Sequence, residues 1–326
     1  MRRRRLFQAG ASLAMAAMAL SREQSRAGVS RKPFEAWPAP LRAGSRIAAV
    51  APGTWMEPGD NSLTLLRQRC LERGWTLLTP PELLGRWRWF SARDGARLES
   101  LRRAWLDPRV DAIACVGAGW GSARLLEQGW QIPPAPRWCI GFSDCSALLL
   151  AQLAAGSPGG VHAGFGGSVP DWQRLADLLA GLPVAPLHGR PQRPGSAEGP
   201  LVVSNLTIAT SLIGTPWLPD LRGTILVLED TGEAPYRIDR QLTQWRSSGL
   251  LRGVAGIGLG HFSWAQADDL PGDFSMGEIL LERLGDLGIP LISDLPLGHG
   301  VPNLALPLGR RARLDGTTGQ LRLLQS

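Results

Sequence analysis

The fold is decided by the stretch Trp138-Cys139-Ile140-Gly141-Phe142-Ser143-Asp144, which runs directly into the apolar segment at residues 146–154. Residues 138–142 predict a short buried strand, and the residues from about 144 to 154 predict a helix. A strand followed at once by a helix is the repeating unit of parallel α/β sheets. Ser143 stands at the carboxyl end of this strand, where open α/β sheets bind their ligands.

The residues before Trp138 repeat the same alternation. Predicted strands and helices follow one another at residues 46–53, 62–73, 75–78, 94–106, 111–116 and from about 122. This order predicts an α/β fold whose amino-terminal domain, residues 28–182, is a Rossmann-like (flavodoxin-like) parallel sheet with helices on both faces.

The second half is predicted to be a smaller mixed α/β domain at residues 201–326. Residues 183–200 lack periodicity and are rich in Pro and Gly, which is typical of a linker. Beyond them, strands and helices are predicted at residues 224–229, 238–245, 255–259, 276–284 and 289–293, with a strand-turn-strand pattern at 304–324.

Composition and charge limit the function classes. The chain has 326 residues, 44% hydrophobic and 19% charged, which suits packed globular domains. Its net charge of +7 is concentrated at the amino terminus: residues 1–26 hold six arginines and one glutamate, or +5, which leaves about +2 for the rest. Without a basic run in the remaining chain, we expect no nucleic-acid partner.

The amino terminus resembles an export signal. Four arginines at residues 2–5 precede a short apolar stretch at residues 9–20, and Arg4-Arg5-Leu6-Phe7 resembles a twin-arginine motif. We therefore expect residues 1–27 to be a Tat-like signal peptide and the protein to be periplasmic, with a cytoplasmic location as the alternative. No later segment is long and apolar enough for a membrane span, so we expect no integral membrane segment in the mature chain.

Ser143 is the candidate nucleophile. A tight turn between a strand and a helix presents a hydroxyl, and the helix that follows supplies backbone N–H groups. Gly141-Phe142-Ser143-Asp144-Cys145 lacks the second glycine of G-x-S-x-G, so Ser143 or Asp144 capping the helix remains an alternative. Cys145 is a rival nucleophile by residue type.

A serine nucleophile needs a base, and the chain has four histidines. His299 lies between two glycines just past a predicted strand, where its ring stays accessible. His162 follows a glycine-rich turn and is placed in the same cleft as Ser143, while His261 and His188 are poorer candidates. Glu229 ends an apolar strand and is the candidate acid for such a base, with an ion pair to Arg237 or Arg240 as the alternative.

The loop Gly117-Ala118-Gly119-Trp120-Gly121 follows the third predicted strand. Small residues there bring backbone N–H groups close to a neighbouring site, as an oxyanion hole requires. A phosphate-binding loop is less consistent with the sequence, because G-x-G-x-x-G is not matched and Lys32 is the only lysine. The four cysteines have no metal-ligand spacing, and we expect neither a metal nor an organic cofactor.

Together these segments resemble the LD-carboxypeptidase family, which includes the microcin-immunity hydrolases, from about residue 46 to 314. The matching pieces, in order, are Val50-Ala51-Pro52, Gly119-Trp120-Gly121-Ser122-Ala123-Arg124-Leu125-Leu126, Gly141-Phe142-Ser143-Asp144, Asn205-Leu206, Gly214-Thr215-Pro216, Leu228-Glu229-Asp230, Pro235-Tyr236-Arg237-Ile238-Asp239-Arg240 and Gly298-His299.

The resemblance implies a catalytic triad of Ser143, Glu229 and His299 at the meeting of two domains, usually in a homodimer. It implies hydrolysis of the amide between an L-centre and a terminal D-amino acid, as in release of D-Ala from murein tetrapeptides during peptidoglycan recycling in the cell wall. The alternatives are an amidase that detoxifies peptide-nucleotide compounds and a catalytically silent peptidoglycan-binding protein. In this reading the backbone N–H groups of Asp144 and Gly119 hold the oxyanion.

The chain departs from the family pattern around the site. Members commonly have Arg-Gly-Gly-Tyr-Gly where this chain has residues 117–121, so an arginine suited to binding a carboxylate is missing. Trp120 in place of tyrosine, His162 and Asn205 are the expected substrate-binding residues. These changes affect the expected substrate more than the expected reaction.

Overall fold

The computed structural model describes residues 36–57, 60–117, 119–264 and 274–325. The predicted signal peptide at residues 1–27 lies outside the described residues. Within the described ranges, no helix combines the length and apolar character that crossing a membrane requires.

The first sheet has six strands in the order β12-β5-β4-β3-β1-β2. Its strands are β1 (Arg46–Val50), β2 (Thr76–Leu78), β3 (Ala112–Cys115), β4 (Trp138–Gly141), β5 (Gly160–His162) and β12 (Leu306–Pro307). The first five are parallel, whereas β12 pairs antiparallel with β5. The order β2-β1-β3-β4-β5 is the flavodoxin-like one, so the predicted Rossmann-like domain is confirmed.

The helices of this half connect the strands. They are α1 (Ser62–Glu72), α2 (Asp94–Leu106), α3 (Ala123–Leu126), α4 (Ser146–Ala154) and α5 (Val169–Leu179), with single 3₁₀ turns at Pro81–Leu84 and Ser143–Cys145. Helix α4 packs against β5 of the first sheet and also against β8 (Ser196–Asn205) of the second. Residues 146–153 are all buried, because α4 is covered by both sheets.

The second sheet has eight strands in the order β6-β14-β13-β8-β9-β10-β11-β7. Besides β8 they are β6 (Leu187–His188), β7 (Arg190–Arg193), β9 (Ile225–Thr231), β10 (Gly256–Ser263), β11 (Leu291–Ser293), β13 (Arg311–Asp315) and β14 (Gln320–Leu323). Strands β8 to β11 are parallel and the remaining pairs are antiparallel, which makes this a mixed sheet. Its helices are α6 (Leu206–Ser211), α7 (Pro235–Ser247) and α8 (Met276–Leu284).

The segment expected to be a linker is largely strand. Residues 183–200 contain β6, β7 and the start of β8. The chain passes from the first sheet to the second in the shorter interval between α5 and β6. The density of Pro and Gly in this segment indicated a linker rather than strands. Proline is nevertheless tolerated in edge strands, where its missing N–H faces solvent. β7, with Pro191, is an outer strand that pairs only with β11.

Candidate active site

Ser143 lies in a strained turn at the carboxyl end of β4. Its φ of 56° is in the left-handed region, which L-residues other than glycine rarely adopt. Phe142 before it is fully extended, and the 3₁₀ turn at Ser143–Cys145 then leads into α4. Strand, sharp turn and helix therefore present the hydroxyl at the edge of the sheet, in the geometry of a nucleophile elbow.

The structure brings Ser143, His299 and Glu229 together from the two sheets. His299 Nε2 lies 3.0 Å from Ser143 Oγ, and His299 Nδ1 lies 2.7 Å from Glu229 Oε2. Both distances are within hydrogen-bond range. Glu229 ends the apolar part of β9 and is completely buried, while the His299 side chain keeps 20% of its surface exposed. The expected alternative, an ion pair of Glu229 with Arg237 or Arg240, is not what the structure has.

Glycines allow this close approach of the two sheets. Gly298 has a φ of 105°, and a Cβ added there would lie 2.8 Å from Glu229 Cβ. A Cβ added at Gly300 would lie 2.3 Å from the ring of His261. The glycines on either side of His299 are therefore needed for space as well as for chain direction.

Glu229 is ionised despite its burial. Burial alone would raise its pKa, but His162 and His299 facing the two carboxylate oxygens lower the pKa to about 2. A permanent negative charge beside His299 Nδ1 fixes the ring with Nε2 free to accept a proton, and it stabilises the imidazolium form.

His162 lies behind the carboxylate and is not exposed to substrate. Its side chain is completely buried, with Nε2 3.8 Å from Glu229 Oε1, and the Phe142 ring packs edge-on against it. A side chain without accessible surface offers no contact to a ligand in the cleft, so the structure gives no support to the expectation that His162 binds substrate. Sequence spacing placed it near the site without showing that Phe142 and Glu229 cover it.

Asn205 has a structural role that was not expected from the sequence. Its side-chain oxygen accepts the Ile208 N–H at 3.0 Å and caps α6, and the residue is 4% exposed. It pairs in register with Glu229 across β8 and β9, so it lies near the acid. An asparagine followed by a short helical pattern was the available signal for this cap.

Asp144 connects Ser143 to the glycine loop through its side chain. The carboxylate accepts the N–H of Gly121 at 3.1 Å and that of Ser122 at 2.8 Å. Burial raises the pKa of Asp144, while these hydrogen bonds and the charge of Arg97 oppose the rise. Gly119, whose φ is 98°, and the half-exposed Trp120 lie in the loop that is held in this way.

The remaining histidines and the cysteines do not form a second site of this kind. His188 is an exposed edge-strand residue, and His261 lies beneath Gly300. Contact with the Cys115 thiol and burial raise the pKa of Cys145 well above its usual range, which disfavours it as a nucleophile. In the part of the chain that the structure describes, no group of His, Cys, Asp and Glu is arranged to hold a metal ion.

A serine, a histidine and a buried carboxylate in hydrogen-bond contact at the edge of a parallel sheet are typical of hydrolases. Residues 47–163 match the LD-carboxypeptidase N-terminal domain, and residues 198–314 match the LD-carboxypeptidase C-terminal domain. The chain is 43% identical over 296 residues to a protein of Synechocystis sp. named as a carboxypeptidase, covering 88% of this chain and 97% of that one.

Two further relatives agree with this match. The chain is 37% identical over 253 residues to the murein tetrapeptide carboxypeptidase of Pseudomonas aeruginosa, covering 71% of this chain and 81% of the relative. The crystal structure of muramoyltetrapeptide carboxypeptidase from Oxalobacter formigenes superposes with a TM-score of 0.77 at 27% identity, covering 86% and 98% of the two chains. The chain therefore belongs to the LD-carboxypeptidase family, a family of peptidases, as its motifs predicted.

Proposed function

We propose that the chain is a serine-type LD-carboxypeptidase that releases the terminal D-Ala from murein tetrapeptides. The observation that carries this proposal is the line of hydrogen bonds from Ser143 Oγ through the His299 ring to Glu229. The family match and the substrates in the names of two relatives support the choice of substrate.

In the proposed mechanism, His299 Nε2 accepts the proton of Ser143 as Oγ attacks the scissile carbonyl. Glu229 stabilises the imidazolium, which then donates its proton to the leaving amino group. The backbone N–H groups of Asp144 and Gly119 stabilise the oxyanion, and each donor of this kind contributes roughly 3 kcal/mol to catalysis. Water activated by His299 hydrolyses the acyl-enzyme and restores Ser143.

The deciding experiment compares the wild-type chain with Ser143→Ala and a matched control, Ser211→Ala, which removes an exposed hydroxyl that donates to the Ile208 carbonyl. We expect Ser143→Ala to lose D-Ala release while its thermal unfolding is preserved, and Ser211→Ala to stay active. Full activity in Ser143→Ala would disprove the proposed nucleophile.

The same assay separates the alternatives. Faster cleavage of a peptide-nucleotide amide than of the tetrapeptide would assign the site to the detoxifying amidases. Binding of the tetrapeptide without any hydrolysis would assign it to a silent peptidoglycan-binding protein.

We also propose that the mature protein is a periplasmic homodimer. The twin-arginine-like leader supports export, and the family resemblance supports a dimer. Light scattering on the purified chain tests the dimer, with a mass near twice 35.1 kDa before removal of the leader. Cell fractionation with Arg4→Lys/Arg5→Lys tests export, because loss of the twin arginines should keep the protein in the cytoplasm.

A further inference from the structure

The loop Gly85-Arg86-Trp87-Arg88-Trp89-Phe90-Ser91-Ala92-Arg93 lies outside the motifs that identified the active site. Together with Trp120 it forms a surface that we call the aromatic–arginine surface, composed of Trp87, Arg88, Trp89, Arg93 and Trp120. Neither the proposed triad nor the proposed oxyanion hole uses these side chains.

The loop is held over the carboxyl ends of β1 and β3. Ser91 Oγ donates to the Ala51 carbonyl at 2.7 Å, and the Trp55 N–H donates to the Trp89 carbonyl at 3.3 Å. A Cβ added at Gly121 would lie 2.5 Å from the Phe90 ring, so this ring packs directly on the glycine loop. The loop therefore lies at the same edge of the sheet as Ser143.

The indole rings border the proposed oxyanion loop. A Cβ added at Gly119 would lie 3.7 Å from Trp89 Nε1, and Trp120 packs edge-on against Phe90 with ring centroids 4.5 Å apart. Trp89 and Trp120 nevertheless keep 50% and 48% of their surface exposed. Large exposed aromatic faces beside a catalytic turn are available for contact with a ligand.

The surface also carries positive charge that is not neutralised by protein carboxylates. The guanidinium groups of Arg88 and Arg93 lie 5.5 and 4.9 Å from the centroid of the Trp87 ring, and both residues are exposed. Among the residues that the structure describes, neither arginine forms an ion pair with an acid. Arg88 has a φ of 56°, a costly conformation for an arginine that is consistent with a functional constraint.

An arginine at position 117 would not fit in this structure. A Cβ added at Gly117 would lie 2.4 Å from the Thr54 carbonyl oxygen, and the φ of Gly117 is 69°. The loop at residues 86–93 carries the exposed Arg88 and Arg93 at this edge of the sheet. It lies at the end of β1, which is two strands away from β4.

The spacing suits a short peptide. Neighbouring strands are about 4.8 Å apart, so the end of β1 is roughly 10 Å from the strand that carries Ser143. An extended peptide covers about 3.3–3.6 Å per residue, so a tetrapeptide bound at Ser143 spans this distance. Arginine binds carboxylates through paired, charge-assisted hydrogen bonds.

We propose that the aromatic–arginine surface is a substrate subsite, in which Arg88 and Arg93 bind carboxylates of an acidic peptide whose scissile bond lies at Ser143. This inference rests on the proposed function for the identity of the peptide. It assigns specificity for anionic peptides to a loop that contains none of the catalytic residues.

The test measures binding separately from hydrolysis. In a Ser143→Ala background, Arg88→Gln/Arg93→Gln is compared with Arg252→Gln/Arg322→Gln, which removes equal charge from two exposed arginines outside this loop. Titration calorimetry is performed with murein tetrapeptide and with the same peptide after amidation of its free carboxylates. We expect Kd for the free acid to rise about tenfold or more in the first variant and to change less than about twofold in the second.

The amidated peptide provides the second half of the test, because its Kd should be the same with and without Arg88 and Arg93. Three results would overturn the subsite. They are an equal rise in Kd for both peptides when Arg88 and Arg93 are replaced, no rise in Kd for the free acid, and no binding of the tetrapeptide to Ser143→Ala. Release of D-Ala by the wild-type chain is measured in parallel. Arginine-dependent binding without hydrolysis would refute the proposed function and leave the subsite standing.

Discussion

Replacement of Glu229 by glutamine tests the proposed catalytic mechanism most directly. The change keeps the shape of the side chain and removes its charge. The pKa of Glu229 is lowered from 4.5 to about 2, so the interactions that favour its ionised form exceed the cost of burial. At 1.36 kcal/mol per pKa unit, this excess of about 2.5 units is roughly 3.4 kcal/mol, or a factor of about 300.

We expect kcat for D-Ala release to fall by at least this factor in Glu229→Gln. The fall extends to about 10⁴-fold if the amide also stabilises the wrong tautomer of His299. The assay is steady-state release of D-Ala from murein tetrapeptide, with circular dichroism to verify the fold. Glu198→Gln is the matched control, because Glu198 on β8 is an exposed carboxylate that pairs with Arg313 on β13.

A folded Glu229→Gln protein with kcat within fivefold of the wild type would refute the reasoning. It would mean that the carboxylate neither orients His299 nor stabilises its cation, and that the short contact between them has no catalytic role. A similar loss in Glu198→Gln would show that the effect is not specific to the buried acid.

Three further predictions concern the surroundings of this acid. His162→Phe removes the polar ring whose Nε2 lies 3.8 Å from Glu229 Oε1 and should lower kcat about tenfold, whereas His162→Asn, which keeps a polar group there, should retain most of the activity; equal losses would contradict a positioning role. Gly298→Ala should cost about 1–3 kcal/mol more in urea unfolding than Gly44→Ala, because both glycines have a positive φ, 105° and 89°, but only Gly298 has atoms within 4 Å of the added Cβ. Equal costs would contradict the packing argument. Burial raises the pKa of Asp230 to about 6, so ionising this carboxyl at higher pH costs folding free energy. As pH rises from about 4 to 7, the free energy of unfolding of the wild type should therefore fall by about 3 kcal/mol relative to that of Asp230→Asn. A difference that does not change with pH would contradict this.

The sequence was sufficient for the alternation of strands and helices around the site because periodicity reports local structure. Each apolar run followed by an amphipathic stretch in the first half corresponds to a strand and a helix of the flavodoxin-like sheet. Parallel strands then place the residues at their carboxyl ends along one edge. This is why a serine after β4 and a glycine loop after β3 were predicted as neighbours.

The details that failed depend on contacts between distant residues. Residues 183–200 form strands because β13, β14 and β11 pair with them, and no local pattern reveals such partners. His162 is buried because Phe142 and Glu229 cover it from two different sheets. The loop with Trp87 and Trp89 was overlooked because it has neither helical nor strand periodicity.

The strand β12 has a consequence for the synthesis of the protein. It follows His299 in the chain and returns to the first sheet, where it pairs with β5 beside His162. After a ribosome has completed the first five strands, β5 therefore still lacks its outer neighbour in the sheet. Because His299 and β12 are translated within a few residues of each other, the catalytic base and the outer neighbour of β5 should both appear late in translation, and the unfinished chain should be unable to cleave peptides.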